Sequence, residues 1–264
     1  MHIYYWVIII FKIGDLVSRK SYNNDIVFKI VSIDNNIVKL IGVNVRLMAD
    51  SDINDLIMAN DNVDDKDIIE RNISNFDRAN YFYLPGKILH IDGDTDYLDR
   101  SMRFYDSVGI RANGLCIEEK DIALKIIELI KKYRPDIVVI TGHDAYYKKK
   151  GNINDINNYQ NSINFVKAIK EVRKYEKNQD KLIIIAGACQ SDYEELIKAG
   201  ANFASSPKRI NIHALDPAII ASSIAFSDKN QSIDLIKLIE KTKYGCDGIG
   251  GIITNGTMYM GYPR

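Results

Sequence analysis

Apolar positions along the chain follow two rhythms, and the change between them falls near residue 85. In the first sixty residues, short runs with partial two-residue alternation recur: WVIIIF, DLVSRK, DIVFKIVSI, NIVKLIG and VRLMA. Gly14-Asp15, Asn23-Asn24 and Asn35-Asn36 divide them, and such residues favour the turn and left-handed conformations that join strands. Five short strands predict a small SH3-like β-barrel domain over residues 1–60. Residues 50–80 carry many Asp and Asn with no regular apolar spacing, so an acidic linker is expected over 61–84.

From residue 87 apolar runs alternate with helix-period segments. KILHID reads as a strand, YLDRSMRFYDSVG as a helix ending at Gly109, and IRANGLCI as a strand. EEKDIALKIIELIKKYRP reads as a helix with Ile122, Ile126 and Ile130 on one face, stopped at Pro135. DIVVIT is a strand, residues 160–178 a helix, KLIIIAGA a strand, and SDYEELIKAG a helix closed by Gly200. ANFASS and RINIHAL read as further short strands. DPAIIASSIAF reads as a helix with Asp216 as cap and Pro217 at the first position. Strands alternating with helices predict an α/β domain over residues 85–264. Its sheet is mostly parallel and flavodoxin-like, with helices on both faces.

Composition narrows the picture without choosing a function. The 264 residues are 46% hydrophobic and 27% charged, as in a globular protein with a real core. Lys+Arg and Asp+Glu number 35 each, which removes an overall electrostatic argument for nucleic acid or an acidic membrane. Residues 1–48 hold six Lys/Arg against three Asp, and residues 50–78 hold nine Asp/Glu against three Lys/Arg. The opening IYYWVIIIF has nine residues, well short of the roughly 20 that span a bilayer. It also lacks the basic flank and cleavage site of a signal peptide. Three scattered cysteines make neither a disulfide framework nor a metal knuckle, so a cytoplasmic, reducing setting is expected, with no cofactor or zinc site.

Ligand and catalytic groups of an open parallel sheet gather at the carboxyl ends of its strands. Three such ends carry reactive side chains: ILHIDGDTD (Asp92, Asp94, Asp96), DIVVITGHD (His143, Asp144) and LIIIAGACQS (Cys189). Ser191-x-x-Glu194 has the form of a capping box, which places Cys189 just before a helix N-terminus and predicts a lowered thiol pKa. A cysteine buried under the sheet edge without chemistry fits that stretch equally well. His143, displayed after a strand and a glycine, favours the catalytic reading, because an imidazole near a thiol can take its proton and return it to a leaving amine. His90 reads as packed, His213 as a strand residue without metal-ligand spacing, Cys116 as core and Cys246 as a loop residue.

VVITGH and LIIIAGAC resemble the paired strands of caspase-like (clan CD) cysteine peptidases, one ending in His and the other in Ala-Cys. A fuller match covers nearly the whole chain. GDLVSRKSYNNDIVFKI, ILHIDGD, TGHDAYY, GACQSDYEELIKAGANFASSPKRINIHALDP and GIGGIITNG resemble the sporulation-specific cysteine protease family YabG of spore-forming Firmicutes. The resemblance implies a caspase-like fold and a peptidase that processes spore-coat and related proteins in the mother cell, cutting after arginine. It also implies His143 as general acid/base and Cys189 as nucleophile. Protein substrates are then the partners. The chain departs from the caspase-like pattern at Asp144, where glycine is usual. Asp144 either supplies a backbone N–H to an oxyanion hole with Cys189 or orients His143. The opening ten residues precede the family's usual start.

Arginine preference calls for carboxylates in the specificity pocket, because guanidinium pairs bidentately with them. Asp92, Asp94 and Asp96 are the candidates, although turn and cap roles suit aspartate there too. Arg71 and Arg78 in the acidic linker are candidate self-cleavage sites. Alternative readings fit less well. An EF-hand fails because Tyr97 occupies its glycine position, and a haloacid-dehalogenase pair fails at Asp96. A glutamine amidotransferase would need a second glycine where Ser191 stands, and a histidine with a nearby glutamate after the cysteine. A receiver-like binding module explains the aspartates but leaves His143 and Cys189 without a role.

Overall fold

The computed structural model describes residues 11–60, 82–147 and 151–261. The opening apolar run up to residue 10, Arg71, Arg78 and most of the expected linker lie outside the described residues. The chain forms two compact units. Residues 11–44 and 48–60 belong to the first, and Val45–Leu47 with the residues from 82 onward belong to the second.

The first unit is an antiparallel sheet of β1 (Leu16–Arg19), β2 (Phe28–Asp34), β3 (Ile37–Gly42), β4 (Met48–Asp52) and β5 (Leu56–Met58). Its order is β4-β3-β2-β1-β5, as in an SH3-like sheet. Val17, Phe28, Ile30, Val38 and Leu40 are fully buried and form its core. The alternation in β2 breaks because a bulge between Ile30 and Ser32 shifts the pairing with β3. Asn23, Asn24 and Asn35 take left-handed φ values of 54°, 58° and 53°, the conformations their turn positions require. The run VRLMA does not form one strand. β4 begins only at Met48, while Val45–Leu47 leave the sheet and join the second unit. β5 then closes the row from within the Asp- and Asn-rich stretch after residue 50, where no strand is expected from the apolar pattern.

The second unit contains β6 (Phe82–Leu84), β7 (Ile88–Asp92), α1 (Thr95–Ser107), β8 (Ala112–Cys116), α2 (Glu119–Tyr133) and β9 (Ile137–Thr141). After these come α3 (Ser162–Tyr175), β10 (Ile183–Ala186), α4 (Tyr193–Ala199), β11 (Phe203–Ser205), α5 (Asp216–Ala225), α6 (Leu235–Ile239), β12 (Ile249–Gly251) and β13 (Tyr259–Gly261). Six strands form the main sheet in the order β12-β11-β10-β9-β7-β8, and only β12 runs antiparallel. β6 and β13 pair separately.

Alternate residues of the buried strands feed two cores. Leu89, Ile91, Val138, Ile140 and Ile184 pack with α2, α3 and α4, while Ile88, Ile137, Val139, Ile183 and Ile185 pack with α1, α5 and α6. RINIHAL is not a strand. It follows β11 as an irregular segment whose sole ladder contact is an antiparallel bridge between His213 and Val45. Cys116, expected in the core, is exposed because β8 is the sheet's edge strand. The chain turns from β7 outward to β8 and then back across to β9, so the topological switch point lies between β7 and β9. Asp92 and Thr141 end those strands, and Asp94 and His143 follow each by two residues.

Candidate active site

His143 stands two residues beyond β9 and is 5% exposed. Its backbone N–H donates to Glu119 Oε1 at 2.7 Å. Glu119, the first residue of α2, lies against both strand-end glycines, and a Cβ at Gly93 or Gly142 would meet its carboxylate at 2.3 Å. The histidine Nε2 lies 3.1 Å from Oδ2 of Asp94, and the Tyr97 ring lies 5.3 Å from the imidazole. Partial burial works to raise the Asp94 pKa, but the His143 contact and the Tyr97 N–H hold it below the usual carboxylate value. An ionised carboxylate only accepts, so Nε2 is the donor in this pair. Nδ1 is buried and has no hydrogen-bond partner.

The three aspartates expected to share one pocket are separated. Asp94 caps α1 through the Tyr97 N–H (3.0 Å) and serves His143. Asp96 is exposed in the first turn of that helix. Asp92 is fully buried, where it pairs with the guanidinium of Arg46 and accepts from Thr141 Oγ1 at 2.7 Å. Burial alone would raise its pKa; Arg46, His90 and Thr141 overcome that and hold it well below the usual carboxylate range. His90 sits beneath this pair, its ring nitrogens 2.9 Å from Tyr105 Oη and Thr141 Oγ1, and burial lowers its pKa. It is a packed histidine, as its position in the strand predicts.

Asp144 does not orient His143. Its Oδ1 accepts from the N–H groups of Ala145 (2.9 Å) and Asn161 (2.7 Å), and Oδ2 from the hydroxyls of Ser162 (2.5 Å) and Ser191 (2.8 Å). One carboxylate therefore ties the loop after β9 to the first turn of α3 and to the loop that carries Cys189. Burial outweighs these donors and raises the Asp144 pKa to about 6. The backbone N–H groups of Asp144 and Cys189 donate to no described residue.

Cys189 follows β10 through a tight turn in which Gly187 (φ 105°) and Gln190 (φ 58°) are left-handed. A Cβ at Gly187 would also meet Leu196 Cδ1 at 2.8 Å. Ser191 forms no capping box; it binds Ala188 N–H (2.9 Å) and Asp144, while Asp192 caps α4. The helix thus starts four residues past the sulfur, and it does not activate the thiol as the capping-box reading predicts. The sulfur is completely buried and accepts from Ile212 N–H at 3.3 Å. Burial pushes its pKa up to about 12, although the N–H groups of Ile212 and Arg46 and the Arg46 charge oppose this.

Arg46 and Tyr97 escape sequence analysis. Arg46 lies in what reads as an ordinary strand, and Tyr97 on what reads as an ordinary helix. Their roles come from contacts made across long stretches of chain: Arg46 Nε donates to Ala214 O at 2.9 Å, and Tyr97 Oη donates to Val45 O at 2.5 Å. Among the described residues, no group of His, Cys, Asp and Glu is arranged to hold a metal ion, and no helix is long and apolar enough to cross a membrane.

A mostly parallel sheet with helices on both faces defines an α/β protein, with Asp94 and His143 paired at its topological switch point. The sequence matches the family described as YabG peptidase U57 over residues 12–77 and 60–263. It is 40% identical over 284 aligned positions to the sporulation-specific protease YabG of Bacillus subtilis (strain 168), an alignment covering 96% of this chain and 98% of that protein. The chain belongs to the YabG peptidase family and is a sporulation protease.

Proposed function

We propose that the protein is a cysteine endopeptidase that cuts after arginine, with His143 and Cys189 as its dyad. His143 Nδ1 takes the thiol proton, and the thiolate attacks the peptide carbonyl. The oxyanion is received by the backbone N–H groups of Asp144 and Cys189. The amine leaves with the proton from His143, and water hydrolyses the thioester. Asp94 holds the imidazole in the tautomer this sequence needs and stabilises the imidazolium that forms. Asp92 receives the substrate guanidinium. The observation that carries the reading is the pairing of His143 Nε2 with Asp94, which leaves Nδ1 buried and without a hydrogen-bond partner. The Asp144–Ser191 bond between the two loops supports it further.

The B. subtilis relative is named a sporulation-specific protease, which supports action during sporulation; spore-coat and related spore proteins, processed in the mother cell, are the substrates the family resemblance implies. Arg71 and Arg78 are proposed self-cleavage sites. The decisive experiment compares wild type, Cys189→Ala and His143→Ala on an arginine-containing protein substrate, with cut positions read by mass spectrometry. Loss of cleavage in both variants is expected. Undiminished cleavage by either would overturn the dyad.

A further inference from the structure

Asp92, the carboxylate assigned above to the substrate guanidinium, is already paired with Arg46. We propose that Val45–Arg46–Leu47 is an internal pseudosubstrate, with Arg46 seated where a substrate arginine binds, so that the segment must leave before substrate reaches Cys189. This regulation rests on the peptidase reading above.

Four observations carry it. First, Arg46 is entirely buried, and its guanidinium meets a carboxylate at the end of a central strand, at the sheet's switch point. Arginine is rarely buried unless paired, and here both the ion pair and the Nε bond to Ala214 O are satisfied by the peptidase unit. Secondly, Val45 forms an antiparallel bridge with His213, the strand-like pairing by which extended peptides add to an enzyme's edge. Val45 then takes the place of the residue before the cleaved one, and Leu47 the place after it. Thirdly, Cys189 is completely buried, and its sulfur accepts from the N–H of Ile212, the residue beside the His213 that bridges to Val45. Fourthly, Val45–Leu47 group with the peptidase unit while the residues on either side, up to Asn44 and from Met48, do not.

The same contacts explain why the segment is held rather than cut. Leu47 N–H donates to Val45 O at 2.9 Å, closing a three-residue turn about Arg46. That turn folds the Arg46–Leu47 peptide out of the extended form that a nucleophile must approach. Tyr97 Oη fixes the same carbonyl, and its ring lies 4.9 Å from the Arg46 guanidinium carbon. Segment, pocket and nucleophile therefore form one closed arrangement in which the thiol is shielded from solvent.

The test uses the full chain. Wild type and Arg46→Met, which keeps the apolar stem but loses the guanidinium, are compared in two ways. One is kcat/KM on a fluorogenic arginyl amide, and the other is the rate of iodoacetamide labelling at Cys189. Arg46→Lys keeps a cation beside Asp92 and serves as the variant least exposed to misfolding. At least a tenfold rise in Cys189 labelling is expected for Arg46→Met, with a smaller rise for Arg46→Lys. Hydrolysis should rise in parallel. Unchanged labelling in both folded variants, with hydrolysis equal to wild type, overturns the pseudosubstrate and leaves the peptidase reading intact. Raised labelling without hydrolysis supports occlusion and overturns the arginine-cleaving chemistry instead. In a Cys189→Ala background, argininamide should raise the Tm of Arg46→Met and not that of the otherwise unchanged chain; an equal shift in both counts against an occupied pocket.

Discussion

Asp94 Oδ2 lies 3.1 Å from Nε2 of His143, two residues past the end of β7 facing two residues past the end of β9. Two parallel neighbours thereby deliver a carboxylate and an imidazole to the same edge, and the pairing decides which nitrogen carries the proton. In the proposed mechanism Asp94 is a positioning residue for the imidazole.

Asp94→Asn should separate this role from the aspartate's capping role. Asparagine still caps a helix about as well as aspartate, so stability should change by less than about 1 kcal/mol. Its amide can present a donor or a weaker acceptor to Nε2, which disturbs the tautomer. A fall in kcat/KM of about 100-fold or more is expected, within the range of losses for general acid–base groups. The check is a pH–rate profile beside a thermal melt; an unchanged profile would detach Asp94 from His143 function.

Asp92→Asn should destabilise the folded chain by about 3–5 kcal/mol, because Arg46 is left buried beside a neutral group. Urea unfolding at pH 7 measures the loss. The sign with pH follows from the depressed Asp92 pKa. Its contribution is present above the unfolded value near 3.8 and is lost as pH falls through the folded one, so wild type and variant should converge in acid.

Asp144 titrates in the opposite sense. Its pKa is raised from 3.8 to about 6 by burial, so between those values the folded state holds more protons than the unfolded state. Its contribution to stability therefore falls as pH rises from about 4 to 6 and rises on acidification across that window. Asp144→Asn removes this dependence and turns one acceptor into a donor facing existing donors. A loss of about 2–4 kcal/mol at pH 7 is expected from unfolding curves. The slope of stability against pH between 4 and 6 should be more positive in the variant than in wild type.

Gly187→Ala should cost about 2–4 kcal/mol. The residue combines φ of 105° with a Cβ position 2.8 Å from Leu196 Cδ1, so strain and overlap act together. Because the turn aims the Cys189 loop, activity should fall further than the loss of folded protein accounts for. Activity per folded molecule, with the folded fraction from circular dichroism, is the measure.

Thiol accessibility gives the simplest prediction. Cys116 and Cys246 are exposed and Cys189 is buried, so brief iodoacetamide treatment of the folded chain at neutral pH should modify the first two and spare the third. Peptide mass spectrometry reads the order. Rapid labelling at Cys189 in the wild-type chain would contradict a shielded thiol.

The strand and helix order of the α/β unit was legible because its central strands are apolar runs and α2 repeats its isoleucines every four residues. Ile122, Ile126 and Ile130 are all buried, as their spacing requires. The small β unit was legible from its asparagine turns. VRLMA misled because a three-residue departure from a sheet leaves no mark in an apolar pattern, and β5 was hidden by the aspartates around it. Cys116 misled because residue type does not reveal whether a strand lies at the centre or the edge of a sheet.

His143, Cys189 and the aspartates could be picked out because strand-end positions are readable from the end of an apolar run. Which of them meet depends on strand order and loop path, which are set by packing between residues far apart in the chain. That packing brings Asp94 to His143 across 49 positions, gives Asp144 to Ser191 and Ser162, and lets Arg46 fill the space beside Asp92. It also reverses the expected state of Cys189. Local sequence puts a thiol near a helix start and predicts activation, but burial of a charge outweighs a helix dipole that starts four residues away. Local pattern thus carried the inventory of chemical groups and their order, because hydrophobic period and turn chemistry act between near neighbours. Pairing, burial and access belong to the tertiary structure, because they depend on which distant surfaces exclude water together.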